Sequence, residues 1–114
     1  LKKYSRDASL FEIEPKVVFF PKDKRDLQTL VKFVNKNKGK YKDLSITIRS
    51  GGTDMTGGPL SESIVVDISG CLNRLIKIKK NKEGGFAIVQ PGMFYRDFEK
   101  AALGRSGYRE KIDV

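Results

Sequence analysis

The stretch that most constrains this chain is Ile46-Thr47-Ile48-Arg49-Ser50-Gly51-Gly52-Thr53-Asp54-Met55-Thr56-Gly57-Gly58, an alternating strand that runs into four glycines, two threonines and a serine. Glycine takes up positive φ without steric cost, and its missing Cβ lets the main chain come right up to a ligand. Successive backbone N–H groups in such a turn converge on an anion as a nest, with the hydroxyls of Ser50, Thr53 and Thr56 at its rim. A phosphate or pyrophosphate fits such a loop. The plain alternative, a tight surface turn between two strands, accounts for one or two glycines but leaves the others unexplained.

Two familiar glycine fingerprints do not apply. A Walker loop ends in Gly-Lys-Ser or Gly-Lys-Thr, and residues 46–58 contain no lysine. A Gly-x-Gly-x-x-Gly dinucleotide motif opens a helix, whereas Gly58-Pro59-Leu60-Ser61 leads into Ile64-Val65-Val66-Asp67-Ile68, which reads as another strand.

The flanking chain supplies a scaffold for the loop. Val17-Val18-Phe19-Phe20, between Pro15 and Pro21, is continuously apolar and predicts a buried strand. Asp23 then caps a helix with Asp26 in its first turn, where the dipole favours negative charge. Leu27, Leu30, Val31 and Val34 recur at helical spacing and predict one apolar face, and Asn35 to Lys42, with Gly39 inside, reads as the helix end and a solvated loop. Ser45 to Arg49 completes a strand, helix, strand unit, with a right-handed connection if its strands are parallel neighbours. The glycine loop therefore falls at the carboxyl end of a strand, where such sheets often bind ligands.

Further on, Ile64 to Ile68 is a third strand, and Arg74 to Lys79 pairs with Phe86 to Gln90 as a hairpin through the turn at 80–85. Pro91-Gly92 breaks the last strand. Phe94, Phe98, Ala101 and Ala102 line a second helix ending near Gly104, and Arg105 to Val114 shows no clear pattern. The expected class is α+β: a strand-helix-strand unit, the glycine-rich loop, a meander of further strands including the hairpin, and the second helix.

Composition narrows the chemistry. At 114 residues the chain suffices for one domain that buries roughly two-thirds of its unfolded surface. Histidine is absent, which removes the commonest general base and the serine or cysteine triads built on it. The single cysteine, Cys71, has no disulfide or metal companion and reads as a small packing residue in a reducing, cytoplasmic setting. Apolar runs are too short for a membrane span, and residues 1–7 lack the apolar core of a secretory signal. The start without methionine is what a processed or excised chain would show. Glu12 and Glu14 read as solvated loop acids. Lysine and arginine outnumber the acids 23 to 14, a formal charge of +9 that favours anionic partners, yet no aromatic platform or helix-turn-helix accompanies them.

Arg49 to Gly58 resembles the pyrophosphate loop of the FAD-binding domain shared by vanillyl-alcohol oxidase, p-cresol methylhydroxylase and the glycolate oxidase and D-lactate dehydrogenase flavoproteins. Val17 to Pro21 with its helix resembles that family's opening, Ile64 to Ser69 its strand after the loop, and Ala87-Ile88-Val89-Gln90-Pro91-Gly92 a later segment near the nucleotide. The resemblance implies that Ser50, Gly51, Gly52, Thr53, Asp54, Met55, Thr56 and Gly57 wrap the FAD pyrophosphate, mainly through backbone N–H groups, with Pro91 and Gly92 close by. Members with covalent flavin at this loop carry histidine where Thr53 stands, so non-covalent FAD is expected. Asp54 occupies a position that is often serine, and beside a pyrophosphate its carboxylate must point away or accept backbone hydrogen bonds. For Arg49 a structural role is favoured over direct contact.

By this resemblance residues 1–114 are the amino-terminal part of a single FAD-binding domain whose remainder, with the cap or substrate domain, is absent. The intact protein would be an oxidoreductase acting on a small 2-hydroxy acid such as glycolate or D-lactate, with no nucleic-acid partner, and this chain alone would be inert. The competing reading is a basic, non-enzymatic module for nucleic acid or another polyanion, whose binding would weaken steeply with salt. Gly52→Val is expected to impair FAD binding and so to separate the two.

Overall fold

The computed structural model describes residues 1–81 and 84–106. Among the described residues, five strands, two α-helices and a short opening 3-10 turn make an α+β arrangement. The strands are β1 (Val17–Phe19), β2 (Ile46–Arg49), β3 (Ile64–Asp67), β4 (Leu75–Asn81) and β5 (Gly84–Val89); the helices are α1 (Lys24–Asn37) and α2 (Tyr95–Ser106). The first three strands form one parallel sheet in the order β1-β3-β2, and β4 and β5 form a separate antiparallel ribbon.

This order answers one open condition and corrects one expectation. The strands of the strand-helix-strand unit are not neighbours, because β3 lies between them and pairs with both in parallel. The doubly buried strand is β3, whose Val65 and Val66 are wholly buried, whereas β1 is an edge strand and Val17 is 48 % exposed. A strand with partners on both sides removes more apolar surface from water, a gain of about 1.5–3 kcal/mol for each fully buried side chain. Continuous apolar runs mark both strands alike, so the pattern alone does not rank them.

Register explains what covers each face. Ile64 and Val66 of β3 share a face with Ile46 of β2 and Phe19 of β1. Against that face lie Leu27, Leu30 and Val34 of α1, joined by Leu44, Ile68 and Leu72. Val31, expected on the same helical face, is 55 % exposed instead. Asp23 caps α1 as expected: its carboxylate accepts the N–H of Arg25 at 2.7 Å and of Asp26 at 3.2 Å, while Asp26 accepts the N–H of Lys22 at 2.8 Å. The opposite face carries Arg49 and Asp67, which are register partners, and Tyr4 from the amino-terminal segment reaches over to both.

The hairpin forms where expected, though its strands run on to Asn81 and from Gly84. Residues 82–83 of the anticipated turn lie outside the described residues. A register shift between Leu75 and Lys77 drops Ile76 out of the ladder, and that side chain is left exposed. Gln90 closes the ribbon twice: its N–H donates to the Arg74 carbonyl at 2.9 Å and its side-chain oxygen accepts the Arg74 N–H at 3.0 Å. Helix α2 packs on β4 and buries Ala102. It continues through Gly104 to Ser106, two residues past the expected end; residues 107–114 of the patternless tail lie outside the described residues.

Candidate functional site

The glycine loop leaves the carboxyl end of β2, with Gly52 at φ +66° and Gly57 at φ +83°. Both are left-handed conformations that residues with a Cβ seldom adopt. Each glycine also makes room for a neighbouring side chain. A Cβ on Gly52 would lie 2.2 Å from Nη2 of Arg49, and one on Gly57 would lie 2.9 Å from Cδ2 of Phe11. Gly51 sits against the Phe94 ring, with 3.3 Å left for a Cβ. The glycines therefore serve internal packing as well as any ligand, and Gly52→Val would displace Arg49 whether or not FAD binds. That substitution does not separate the two readings as intended.

Asp54 folds back on its own loop. Its Oδ1 accepts the Thr56 N–H at 2.5 Å and the Thr56 hydroxyl at 2.6 Å, and these bonds hold the carboxyl below the usual carboxylate range. This Asx-type turn engages the carboxylate within its own loop, which lessens but does not cancel its repulsion of an anion. It also turns both donors of Thr56 inward. On the other side, Asp54 O accepts the Ala8 N–H at 3.0 Å and ties the loop to the amino-terminal segment. Among the described residues, no hydrogen bond takes up the backbone N–H of Gly51, Gly52, Thr53, Asp54 or Met55.

Ile48 to Asp54, with Gly58 and Pro59, line a concavity of about 400 Å³. Ser50, Gly51 and Thr53 also line a second one, of about 570 Å³, with Pro91, Phe94 and Tyr95 on its far side. The structure thus brings Pro91 to the loop from well beyond it in the sequence, past β3 and the hairpin. Gly92 is buried, and its bare Cα faces Ile68: a Cβ there would lie 2.2 Å from the Ile68 carbonyl oxygen and 2.8 Å from that of Leu72. Its N–H donates to Leu72 O at 2.7 Å, which anchors the exit of the hairpin beside the loop. Met55 projects outward, 78 % exposed.

Beneath the loop lies a polar cluster that the sequence does not signal, since its members are far apart along the chain. The Tyr4 hydroxyl donates to Asp67 Oδ2 at 2.7 Å, and Ser69 donates its N–H and hydroxyl to Asp67 Oδ1 at 2.9 and 2.6 Å. Burial, reinforced by the Asp67 carboxylate, pushes the Tyr4 hydroxyl up to about 12. Partial burial raises Asp67, but the bonds from Ser69 and Tyr4 outweigh it and hold the carboxyl low. The Arg49 guanidinium stacks over the Tyr4 ring at 5.4 Å. Arg49 is only 9 % exposed, and its Nη1 has no hydrogen-bond partner. Glu12, expected to be solvated, pairs with Arg6 and stays half-exposed. Cys71 is part-buried in the turn after β3, its Sγ 3.8 Å from Ile68 O. Among the described residues no acid, histidine and cysteine cluster could hold a metal, and no helix is long and apolar enough to cross a membrane.

A run of unengaged N–H groups over an open concavity, backed by a buried cation, fits the diphosphate of a dinucleotide. The fold and loop together define a nucleotide-binding α+β unit. Residues 15–109 match the family model described as FAD binding domain, and the chain belongs to that family; its cofactor is FAD. D-2-hydroxyglutarate dehydrogenase of Escherichia coli (strain K12) is 34 % identical over 89 residues, covering 78 % of this chain and 8 % of that protein. The enzyme of the same name from Pseudomonas putida is 31 % identical over 101 residues, 89 % of this chain and 10 % of its own length. The chain therefore spans at most about a tenth of these relatives.

Proposed function

We propose that residues 1–114 form the amino-terminal part of an FAD-binding domain in a flavin-dependent dehydrogenase of a small 2-hydroxy acid, and that the loop from Ser50 to Gly57 holds the FAD diphosphate. The observation that carries this reading is the set of unengaged backbone donors from Gly51 to Met55 on a loop at the carboxyl end of β2. FAD, when bound, supplies the redox chemistry. The role of this chain is to bind and orient: the backbone donors hold the diphosphate, Asp54 keeps the loop in shape, and Gly92 sets Pro91 at its edge. Thr53 in place of histidine supports non-covalent attachment. The name shared by the relatives supports 2-hydroxyglutarate as the first substrate to test, ahead of glycolate and D-lactate. The lone cysteine agrees with a reducing, cytoplasmic setting.

The full natural protein, incubated with FAD and desalted, is expected to retain flavin absorption and to bleach when D-2-hydroxyglutarate is added without oxygen. A folded protein that emerges colourless would overturn the reading, and the salt dependence of binding to a polyanion would then be measured. Bleaching by D-lactate alone would keep the domain and change the substrate. The isolated chain is expected to show no turnover.

A further inference from the structure

We propose that Arg49 is the electrostatic partner of the bound diphosphate, reaching it from beneath Gly52; this rests on the FAD reading and assigns a role within the same site. Arg49 is the last residue of β2, and the residue is about nine-tenths buried. Buried cations are normally paired, because desolvation without a counter-charge is costly. Among the described residues Arg49 has no ion pair, and Nη1 has no hydrogen-bond partner. The acid beside it in the register, Asp67, is occupied: Oδ2 receives the Tyr4 hydroxyl and Oδ1 receives Ser69. Tyr4 offers the guanidinium its ring face, which orients a cation but does not neutralise it.

The remaining neighbour is the loop itself. Nη2 lies where a Gly52 side chain would stand, so only glycine lets the guanidinium come up under the backbone at that point. Arg49 also lines the concavity that the unengaged N–H groups border. A dianion seated there meets the backbone donors and offers the guanidinium the direct ion pair that Asp67, engaged by Tyr4 and Ser69, does not make. Arginine suits this position better than lysine, since its planar fork can stack on Tyr4 and still present an N–H edge to phosphate oxygens. Glycine at position 52 then has two causes, the positive φ of the turn and the cation below it.

Titration of the full natural protein with FAD, and with riboflavin, which has the same ring and no phosphate, tests the assignment. Arg49→Gln is expected to weaken FAD roughly tenfold or more, the loss of one charge-assisted hydrogen bond, and to leave riboflavin binding unchanged. Arg49→Lys should fall between. A folded Arg49→Gln protein that binds FAD as the parent does overturns the proposal, whatever its melting temperature, and leaves Arg49 as a structural post. If Arg49→Gln does not fold, the side-chain nitrogen resonances of Arg49 in the parent decide: they are expected to shift on adding FAD or inorganic pyrophosphate, and unmoved signals overturn the proposal. A parent protein that takes up no FAD overturns the function reading and this one with it, and that result is seen before any substitution is made.

Discussion

The parallel sheet and the hairpin handle their apolar side chains in opposite ways. Around β3, Ile64, Val65, Val66 and Ile68 are buried by strands on both sides, by α1 on one face and by the amino-terminal segment towards the other. On the ribbon, Ile76, Phe86, Ile88 and Val89 remain substantially exposed, and α2 packs on β4. The first region holds itself together and carries the loop on its carboxyl edge. The second is a platform whose task within these residues is to bring Pro91 and Phe94 to that loop. Position on the sheet decides the fate of the isoleucines and valines that both regions carry; the ribbon adds lysines and glycines that the central strand lacks.

Gly92→Ala strikes the junction between the two regions and should have the largest effect. A Cβ would meet the carbonyl oxygens of Ile68 and Leu72 at 2.2 and 2.8 Å, and main chain cannot swing aside as a side chain can. A loss of roughly 3 kcal/mol or more is expected in urea unfolding of the full natural protein, at the upper end of overpacking costs. A near-neutral outcome would mean that hairpin and sheet are not fastened at this point.

Val66→Ala and Ile88→Ala sharpen the contrast directly. Val66 is fully buried, so removing two methyl groups should cost about 2 kcal/mol through lost transfer energy and the cavity left behind. Ile88 is 46 % exposed, and its truncation in the 114-residue chain should cost less than about 1 kcal/mol. Equal losses would break the comparison. A small loss in this chain that becomes large in the full natural protein would show further chain lying over the ribbon.

Much of the loop was legible because its signals are local. A strand running into repeated glycine and hydroxyl residues implies a backbone cradle, and the Asp54 turn is one of the two ways in which an acid can sit there. The sheet order was not legible, because Val17 to Phe20 and Ile64 to Val66 are both short continuous apolar runs and only tertiary pairing ranks them. Nor was the support under the loop. Tyr4 and Asp67 stand 63 residues apart, and nothing in either segment announces the other. Arg49 was visible as a residue, but its burial, its unpartnered Nη1 and the space that Gly52 leaves for it belong to the folded chain.

An effect smaller than that of Val66→Ala tests that support. The Tyr4 hydroxyl is raised from its ordinary value of 10.0 to about 12, chiefly by burial and then by its bond to Asp67. A group whose folded value lies above its unfolded value contributes stability fully present below the unfolded value and lost as pH rises through the folded one. Tyr4 therefore stabilises the fold up to pH 10, and its contribution fades between about pH 10 and 12. Tyr4→Phe keeps the ring under Arg49 and removes only the hydroxyl, so at neutral pH it should cost about 1 kcal/mol, within the range for one hydrogen bond. Unfolding free energies measured from pH 8 to 12 should fall more steeply for the parent than for Tyr4→Phe, so that the gap between the two curves closes as the pH rises. Parallel curves would place the Tyr4 hydroxyl in solvent and leave Asp67 free to face Arg49, which would bring the amino-terminal side of the comparison down to the standing of the hairpin.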